Sequence, residues 1–233
     1  MSLLEISNLA GGYPRTRVLD GVDLTVERGG VLALLGRNGV GKTTLLHTVM
    51  GMLPGTGSIK FQGRDLLGLS THQIARAGIA LVPQGRRVFA PLTVDENLRI
   101  SARGGNAAAW TPKRAYELFP GLAERRTNYA GQLSGGEQEM LSIARALVTN
   151  PDLLLMDEPS DGLAPAIIKT VGEAVTELAR VGVTVLLVEQ NLALALDVAD
   201  EVAVMSKGRI TFSGAPSELK GDSRRVRELL GVG

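Results

Sequence analysis

Hydrophobic residues in this chain form short uninterrupted runs, and longer stretches with helical spacing lie between them. Five runs without polar alternation span residues 31–35, 79–82, 153–156, 183–188 and 202–205. Strands buried on both faces of a sheet have this pattern, because neither face is left to solvent. The runs therefore predict a central parallel sheet.

The stretches between these runs predict helices and a second, smaller sheet. Apolar residues recur at helical spacing over residues 45–50 and again from Pro165 to Leu178. Alternation of strand and helix is typical of a doubly wound α/β fold. Short extended patterns at residues 3–6, 22–26 and 59–61 predict an antiparallel side sheet. Residues from about 86 to 128 are richer in charge and loop formers, and residues 115–118 have a helical pattern.

Composition narrows the kinds of site that this chain can carry. It has 233 residues, 44% of them hydrophobic, and 25 Lys and Arg against 24 Asp and Glu. No net field draws the whole surface to nucleic acid, so no nucleic-acid partner is expected. The chain has no cysteine, which excludes thiol chemistry and a cysteine-ligated metal. It has two histidines, so a metal site built from imidazoles is improbable. The N-terminus lacks the pattern of a secretory signal, and every apolar run is too short to span a bilayer, so we expect a soluble protein.

One segment matches the phosphate-binding loop pattern, with eight residues between an apolar run and a predicted helix. Its glycines allow successive amide hydrogens to point inward, and the helix start adds a positive dipole end. The Lys42 ammonium is suited to bind the β- and γ-phosphates, and the Thr43 hydroxyl is suited to bind Mg²⁺. The ATP-binding residues predicted here are Gly36, Arg37, Asn38, Gly39, Val40, Gly41, Lys42, Thr43 and the adjoining Thr44.

The apolar run at residues 153–156 ends in two carboxylates, Asp157 and Glu158. This places them at the carboxyl edge of the sheet, where α/β folds bind ligands and where the glycine loop also lies. Asp157 is expected to assist Mg²⁺ binding, and Glu158 to act as the base for the water that attacks the γ-phosphate. Kinases, small GTPases, helicases and motor ATPases all remain open on these two motifs.

A third motif narrows the class. Leu133, Ser134, Gly135, Gly136 and Glu137 resemble the signature of ABC ATPases, and the resemblance extends from Tyr13 to the turn at residues 207–209. It implies a P-loop NTPase cassette of the α/β class, with a parallel-sheet core, an N-terminal antiparallel side sheet and a helical subdomain. We therefore expect a single domain over 1–233, with the nucleotide-binding core at 1–85 and 133–233 and the helical subdomain at about 86–132.

The same resemblance assigns further roles. It implies that Tyr13 stacks on adenine, and that Gln84 contacts Mg²⁺ and the attacking water. The predicted metal ligands are thus Thr43, Gln84 and Asp157, and the predicted catalytic residues are Glu158, Gln190 and Gln84. Most relatives carry a histidine at the position of Gln190, whose amide can donate a hydrogen bond but cannot shuttle a proton.

In this family, the resemblance implies, the signature of one subunit closes over the nucleotide held by its partner. We predict that Ser134, Gly135, Gly136 and Glu137 act in trans, on ATP bound to a second ATPase subunit. A heterodimer is favoured, and a homodimer remains open. Ser134 and the two glycines precede a predicted helix over 137–148 and form a second anion-binding helix start. This is consistent with action in trans, because one γ-phosphate does not need two such binding sites within one chain.

Residues 82–89, 92–98 and 189–191 resemble the smaller ATPase of branched-chain amino-acid importers, and the urea-importer ATPase is nearly as similar. This likeness implies permease subunits, an indirect solute-binding partner, and a place on the cytoplasmic face of the bacterial inner membrane. Residues 86–98 are the expected docking surface. Non-transport ABC proteins are less favoured: a DNA-repair protein would need a coiled-coil insertion within residues 44–132, and a translation factor usually has two cassettes. A nonhydrolytic nucleotide-binding regulator is a further alternative, and the intact Glu158 argues against it.

Overall fold

The computed structural model describes residues 1–104, 109–221 and 229. Residues 105–108 of the predicted helical subdomain, and 222–228 and 230–233 of the predicted core, lie outside the described residues. The strands are Ser2–Tyr13 (β1), Thr16–Glu27 (β2), Val31–Leu35 (β3), Gly55–Phe61 (β4), Arg64–Asp65 (β5), Ile79–Val82 (β6), Leu153–Asp157 (β7), Thr184–Glu189 (β8), Glu201–Ser206 (β9) and Arg209–Gly214 (β10). The α-helices are Lys42–Val49 (α1), Thr71–Ala77 (α2), Val94–Ser101 (α3), Pro112–Leu118 (α4), Pro120–Glu124 (α5), Gly135–Leu147 (α6), Pro165–Arg180 (α7) and Leu192–Val198 (α8).

The central sheet has the strand order β10-β9-β3-β8-β7-β6. All five predicted strands are confirmed as β3, β6, β7, β8 and β9, and every pairing among them is parallel. The sequence prediction missed β10, which is antiparallel to β9. Alternate residues of β10 are exposed or half-buried, so it lacks the continuous apolar run that identifies a strand buried on both faces.

Successive residues of the buried strands point to opposite faces of the sheet, so hydrophobic core lies on both of its sides. One face, which includes Leu154 and Leu187, packs against α6 and α7 and against residues of the helical region. The other face, which includes Leu155 and Leu186, packs against α1, α2 and the side sheet. This sandwiching explains why the strands read as uninterrupted apolar runs.

The predicted antiparallel side sheet is confirmed, in the order β2-β1-β4-β5. The turn between β9 and β10 fastens it to the central sheet, because the Asp20 amide donates to the Gly208 carbonyl at 2.9 Å. Lys207 and Gly208 both have left-handed φ angles, +48° and +75°, as a tight hairpin turn requires. A Cβ on Gly208 would lie 1.9 Å from the Val18 carbonyl oxygen, so only glycine allows this close approach.

The helical region contains α3, α4 and α5, and α6 continues from it into the core cluster. The expected helix over 137–148 is α6, which begins two residues earlier, at Gly135. Ser134 caps the helix, so Gly135 and Gly136 are its first two residues rather than a loop before it. The subdomain boundaries at 86 and 132 stay a prediction.

Candidate nucleotide-binding site

The phosphate loop joins β3 to α1, and Lys42 is the first residue of the helix. The Lys42 side chain is buried, and its Nζ donates to the carbonyl oxygens of Gly36 at 2.7 Å and Arg37 at 2.9 Å. The same Nζ forms an ion pair with Glu158 Oε1 at 2.9 Å. Gly41, the residue before α1, makes no side-chain cap, so the first amides of this helix are not satisfied by a neighbouring side chain.

Asp157 and Thr43 lie side by side, as the metal-site prediction requires. The Thr43 hydroxyl donates to Asp157 Oδ1 at 3.1 Å. Burial raises the pKa of the Asp157 carboxyl, and the hydrogen bond from Thr43 opposes this shift. A carboxylate and a hydroxyl are hard oxygen donors of the kind that Mg²⁺ prefers, so these residues fit that ion.

Glu158 occupies a sharp bend at the end of β7. Its φ angle is +50°, a left-handed conformation that typically costs about 1 kcal/mol or more for a residue with a Cβ. The Glu158 amide donates to the Val188 carbonyl at 2.9 Å and holds the bend against β8. Glu158 Oε2 accepts from Gln84 Nε2 at 3.3 Å and from Gln190 Nε2 at 2.9 Å. The three predicted catalytic residues therefore meet at one carboxylate.

The end of β8 gives three adjacent residues three different tasks. Gln190 Nε2 donates to Asn38 Oδ1 of the phosphate loop as well as to Glu158. Glu189 is fully buried and accepts from the backbone amides of Ser160, Gln190 and Asn191. The Asn191 side chain caps α8. Sequence reasoning identified Gln190 but missed the structural role of Glu189, although a carboxylate that ends an apolar strand is a usable signal.

A cleft of about 320 Å³ opens at this edge of the sheet. Tyr13 lies at the border of this cleft with about half of its surface exposed, so its ring is available to a ligand. No signature residue is among the described residues that line the cleft. Its lining residues are Tyr13, Val18, Asn38, Gly39, Gly41, Lys42, Thr43, Thr44, Gln84 and Glu158.

The signature lies at the start of α6. Ser134 Oγ accepts from the Glu137 amide at 3.3 Å, and Glu137 Oε2 accepts from the Ser134 amide at 2.7 Å. This reciprocal cap satisfies two of the amides that a helix start leaves unpaired. A Cβ on Gly136 would lie 2.8 Å from Cγ2 of Ile167, so this glycine also permits close packing against α7.

Sequence reasoning also missed Glu139, a buried carboxyl on α6. Burial raises its pKa to about 7, and the nearby Arg86 charge opposes this shift. Glu139 shares the inward face of the helix with Ile143, four residues further on. A charged residue at an apolar helical position was the signal that could have identified it.

A phosphate loop, an acidic strand end and a capped second helix start, placed on a two-sheet α/β fold, define a nucleotide-binding cassette. The family model described as ABC transporter matches residues 19–161. The chain is 46% identical over 219 residues to the high-affinity branched-chain amino acid transport ATP-binding protein BraG of Pseudomonas aeruginosa, covering 90% of this chain and 91% of BraG. It is 35% identical to the lipopolysaccharide export system ATP-binding protein LptB of Haemophilus influenzae, covering 99% and 98%.

Among solved structures, a nucleotide-free ATP-binding cassette from an ABC transporter superimposes with a TM-score of 0.85 at 29% identity, covering 98% of each chain. The chain belongs to the ABC transporter family and is one of its ATP-binding cassettes. It is therefore a nucleotide-binding ATPase, as the three sequence motifs predicted.

Proposed function

We propose that this chain hydrolyses ATP to energise the import of branched-chain amino acids through membrane permease subunits. The observation that carries the chemistry is the convergence of Lys42, Gln84 and Gln190 on the Glu158 carboxylate. The similarity to BraG supports the substrate class. The similarity to LptB makes export the competing direction, and a urea or short-chain amide importer is the alternative within import.

The ion pair between Lys42 and Glu158 suggests how ATP starts the reaction. The γ-phosphate offers Lys42 a more highly charged acceptor than one carboxylate, so binding would draw the ammonium away from Glu158. Glu158 is then free to accept a proton from the attacking water. Gln190 already donates to Glu158, and its amide is placed to orient that carboxylate or a phosphate oxygen.

Thr43, Gln84 and Asp157 are the residues that would hold Mg²⁺. The ion would supply positive charge that offsets the negative charge of the phosphate groups during transfer. Lys42, which directly precedes Thr43 at the start of α1, would contribute a second positive charge. Tyr13 is proposed to stack on the adenine ring at the border of the cleft.

The signature is proposed to act on a nucleotide held by a second ATPase subunit. Two observations support this assignment. Ser134 is exposed at the start of α6, and no described residue of the signature lines the phosphate-loop cleft. The second subunit is proposed to be a nonidentical ATPase, with a homodimer as the alternative.

A second cleft, of about 610 Å³, is the proposed docking site for a permease. Apolar residues such as Met50 and Ile79 line it, and Arg87, Arg103 and Arg145 supply positive charge. The exposed Met52 also contributes to the lining. This surface suits a cytoplasmic helix that carries both apolar and acidic side chains. The sequence-based expectation was a docking surface at residues 86–98. The proposed surface is a groove that also involves α1, β6 and α6.

A place on the cytoplasmic face of the bacterial inner membrane follows from that docking. Within the described ranges, the helices are too short or too polar to cross a bilayer. Attachment through a permease, which itself is served by a solute-binding protein, would hold the chain at the membrane. Removal of the permease should release it in cell fractionation.

The test is the ATPase rate of the chain purified with its membrane partners and reconstituted with a solute-binding protein. We expect branched-chain amino acids to stimulate hydrolysis, and a Glu158→Gln complex to show no stimulated rate. Stimulation by urea or amides alone would support the alternative importer. Stimulation by a lipid substrate, with no response to any of these solutes, would overturn import.

A further inference from the structure

Arg86 lies in the segment between β6 and α3, two residues after Gln84. Its Nη2 donates to the carbonyl oxygens of Asp161 at 3.3 Å and Gly162 at 3.0 Å. These carbonyls belong to the loop that follows Glu158. Gln84 Nε2 reaches the same loop, at Asp161 Oδ2, over 3.2 Å. Two side chains of one segment therefore hold the loop that follows the proposed catalytic base.

The other side of the Arg86 guanidinium faces the signature. A Cβ on Gly135 would lie 2.3 Å from Nη1 and 2.8 Å from Cζ of Arg86. The missing side chain of this glycine thus makes room for the guanidinium against the first residue of α6. Arg86 is half-buried, and its backbone is held at a left-handed φ of +52°. A bulky residue in this conformation persists only where surrounding contacts hold it there.

The charges around Arg86 are consistent with a fixed position. Glu139, one turn further along α6, carries a carboxyl whose pKa is raised by burial, and the Arg86 charge opposes this shift. The same segment is fastened to α6 again by Arg145, whose Nη1 donates to the Arg87 carbonyl at 2.6 Å. Arg86 therefore connects its own segment, which also carries Gln84, to the loop after Glu158 and to the start of α6.

We propose that Arg86 is a positioning residue that sets the start of the signature helix relative to the loop after Glu158. This inference rests on the proposed action of the signature on a second subunit's nucleotide. The planar guanidinium of Arg86 suits this task, because Nη2 donates to two neighbouring carbonyls while Nη1 lies beside Gly135. The Arg86 guanidinium donates to the loop after Glu158, and Arg86 is not among the described residues that line the nucleotide cleft.

The test compares Arg86→Ala, Arg86→Lys and the control Arg180→Ala, which removes an exposed ion pair with Glu177 at the far end of α7. ATP affinity of the isolated chain is measured without Mg²⁺, and basal turnover is measured in the complex without solute. We expect Arg86→Ala to keep ATP affinity within about twofold and to lose at least about tenfold in kcat, because displacement of about 1 Å in a catalytic arrangement is that costly. Arg86→Lys should recover part of kcat, and Arg180→Ala should match the parent.

Thermal unfolding shows whether each variant is folded, and Arg86→Lys carries the test if Arg86→Ala is not. Parental kcat in a folded Arg86→Ala or Arg86→Lys complex would overturn the proposal. A parallel loss of ATP affinity and kcat would also overturn it, because it would place Arg86 at the chain's own nucleotide. Failure of the proposed function would give a different result. The parent complex would hydrolyse ATP at a rate that Ser134→Arg leaves unchanged, or its hydrolysis would respond to none of the solutes.

Discussion

Two helices of this chain begin at glycine-rich motifs, and their first turns are arranged differently. The start of α1 has no side-chain cap and places the buried Lys42 next to Glu158. The start of α6 is closed by its own Ser134 and Glu137. Its glycines also admit the neighbouring Arg86 and Ile167. The N-cap of the first helix thus leaves its amides open to an anion, whereas the second helix start is already capped by its own chain.

The largest effect is expected at the α1 site, from Glu158→Gln. An amide cannot accept the proton of the attacking water, so turnover should fall by about 100-fold or more. ATP affinity should be kept or increased, because Lys42 no longer pairs with a carboxylate. Turnover by phosphate release and affinity by equilibrium binding are the two measurements. A variant that hydrolyses ATP near the parental rate would remove Glu158 from its assigned role.

On α6, Glu139→Gln should change the pH dependence of stability. The folded chain holds a proton on Glu139 up to about pH 7, whereas the ordinary value for the group is 4.5. The parent therefore loses stability through this group as pH rises from about 4.5 to about 7. Each pKa unit corresponds to about 1.4 kcal/mol, so the variant should gain on the order of 3 kcal/mol over the parent across that window.

Urea unfolding at several pH values between 4.5 and 8 measures this difference. Glu124→Gln, which changes an exposed glutamate on α5, is the matched control and should follow the parent. Parallel stability curves for the parent and Glu139→Gln would show that this carboxyl does not titrate in the window.

Gly136→Ala tests whether the signature glycines serve packing within the chain. The added Cβ would lie 2.8–3.0 Å from three carbons of Ile167. Overpacking of this kind costs about 1–3 kcal/mol, and Ile167→Ala in the same chain should recover part of the loss. Gly121→Ala, where no atom lies within 4 Å of the added Cβ, should cost nothing measurable. Equal stability of Gly136→Ala and the parent would leave phosphate binding as the sole reason for this glycine.

The smallest effect is expected from Glu137→Ala, which removes half of the α6 cap. Loss of a helix cap costs about 1 kcal/mol, and Glu137→Gln should keep most of it because the amide oxygen still accepts from Ser134. Denaturant unfolding compares the two variants. Identical stabilities of Glu137→Ala and Glu137→Gln would mean that the reciprocal cap does not stabilise the start of α6. The two helix starts would then not differ in the way described here.

The sequence predicted the central strands closely because strands buried on both faces have a continuous apolar signature. It did not reveal β10, whose residues alternate between exposed and half-buried, and it misplaced the start of α6 by treating two glycines as loop. Local motifs identified Lys42, Asp157 and Glu158. Glu139 left one usable signal, a charged residue at an apolar helical position. The contacts of Arg86 could not be predicted, because they depend on which distant elements pack against it.

The most direct test of the contrast is the ATP affinity of the isolated chain carrying either Lys42→Ala or Ser134→Arg. We expect Lys42→Ala to abolish measurable ATP binding, because it removes the buried cation of the phosphate loop. Ser134→Arg should keep the parental affinity within about twofold, since the start of α6 does not contribute to nucleotide binding by its own chain, and should lose turnover in the complex. Loss of ATP binding by the isolated Ser134→Arg chain, if that chain unfolds like the parent, would show that the start of α6 takes part in binding the chain's own nucleotide.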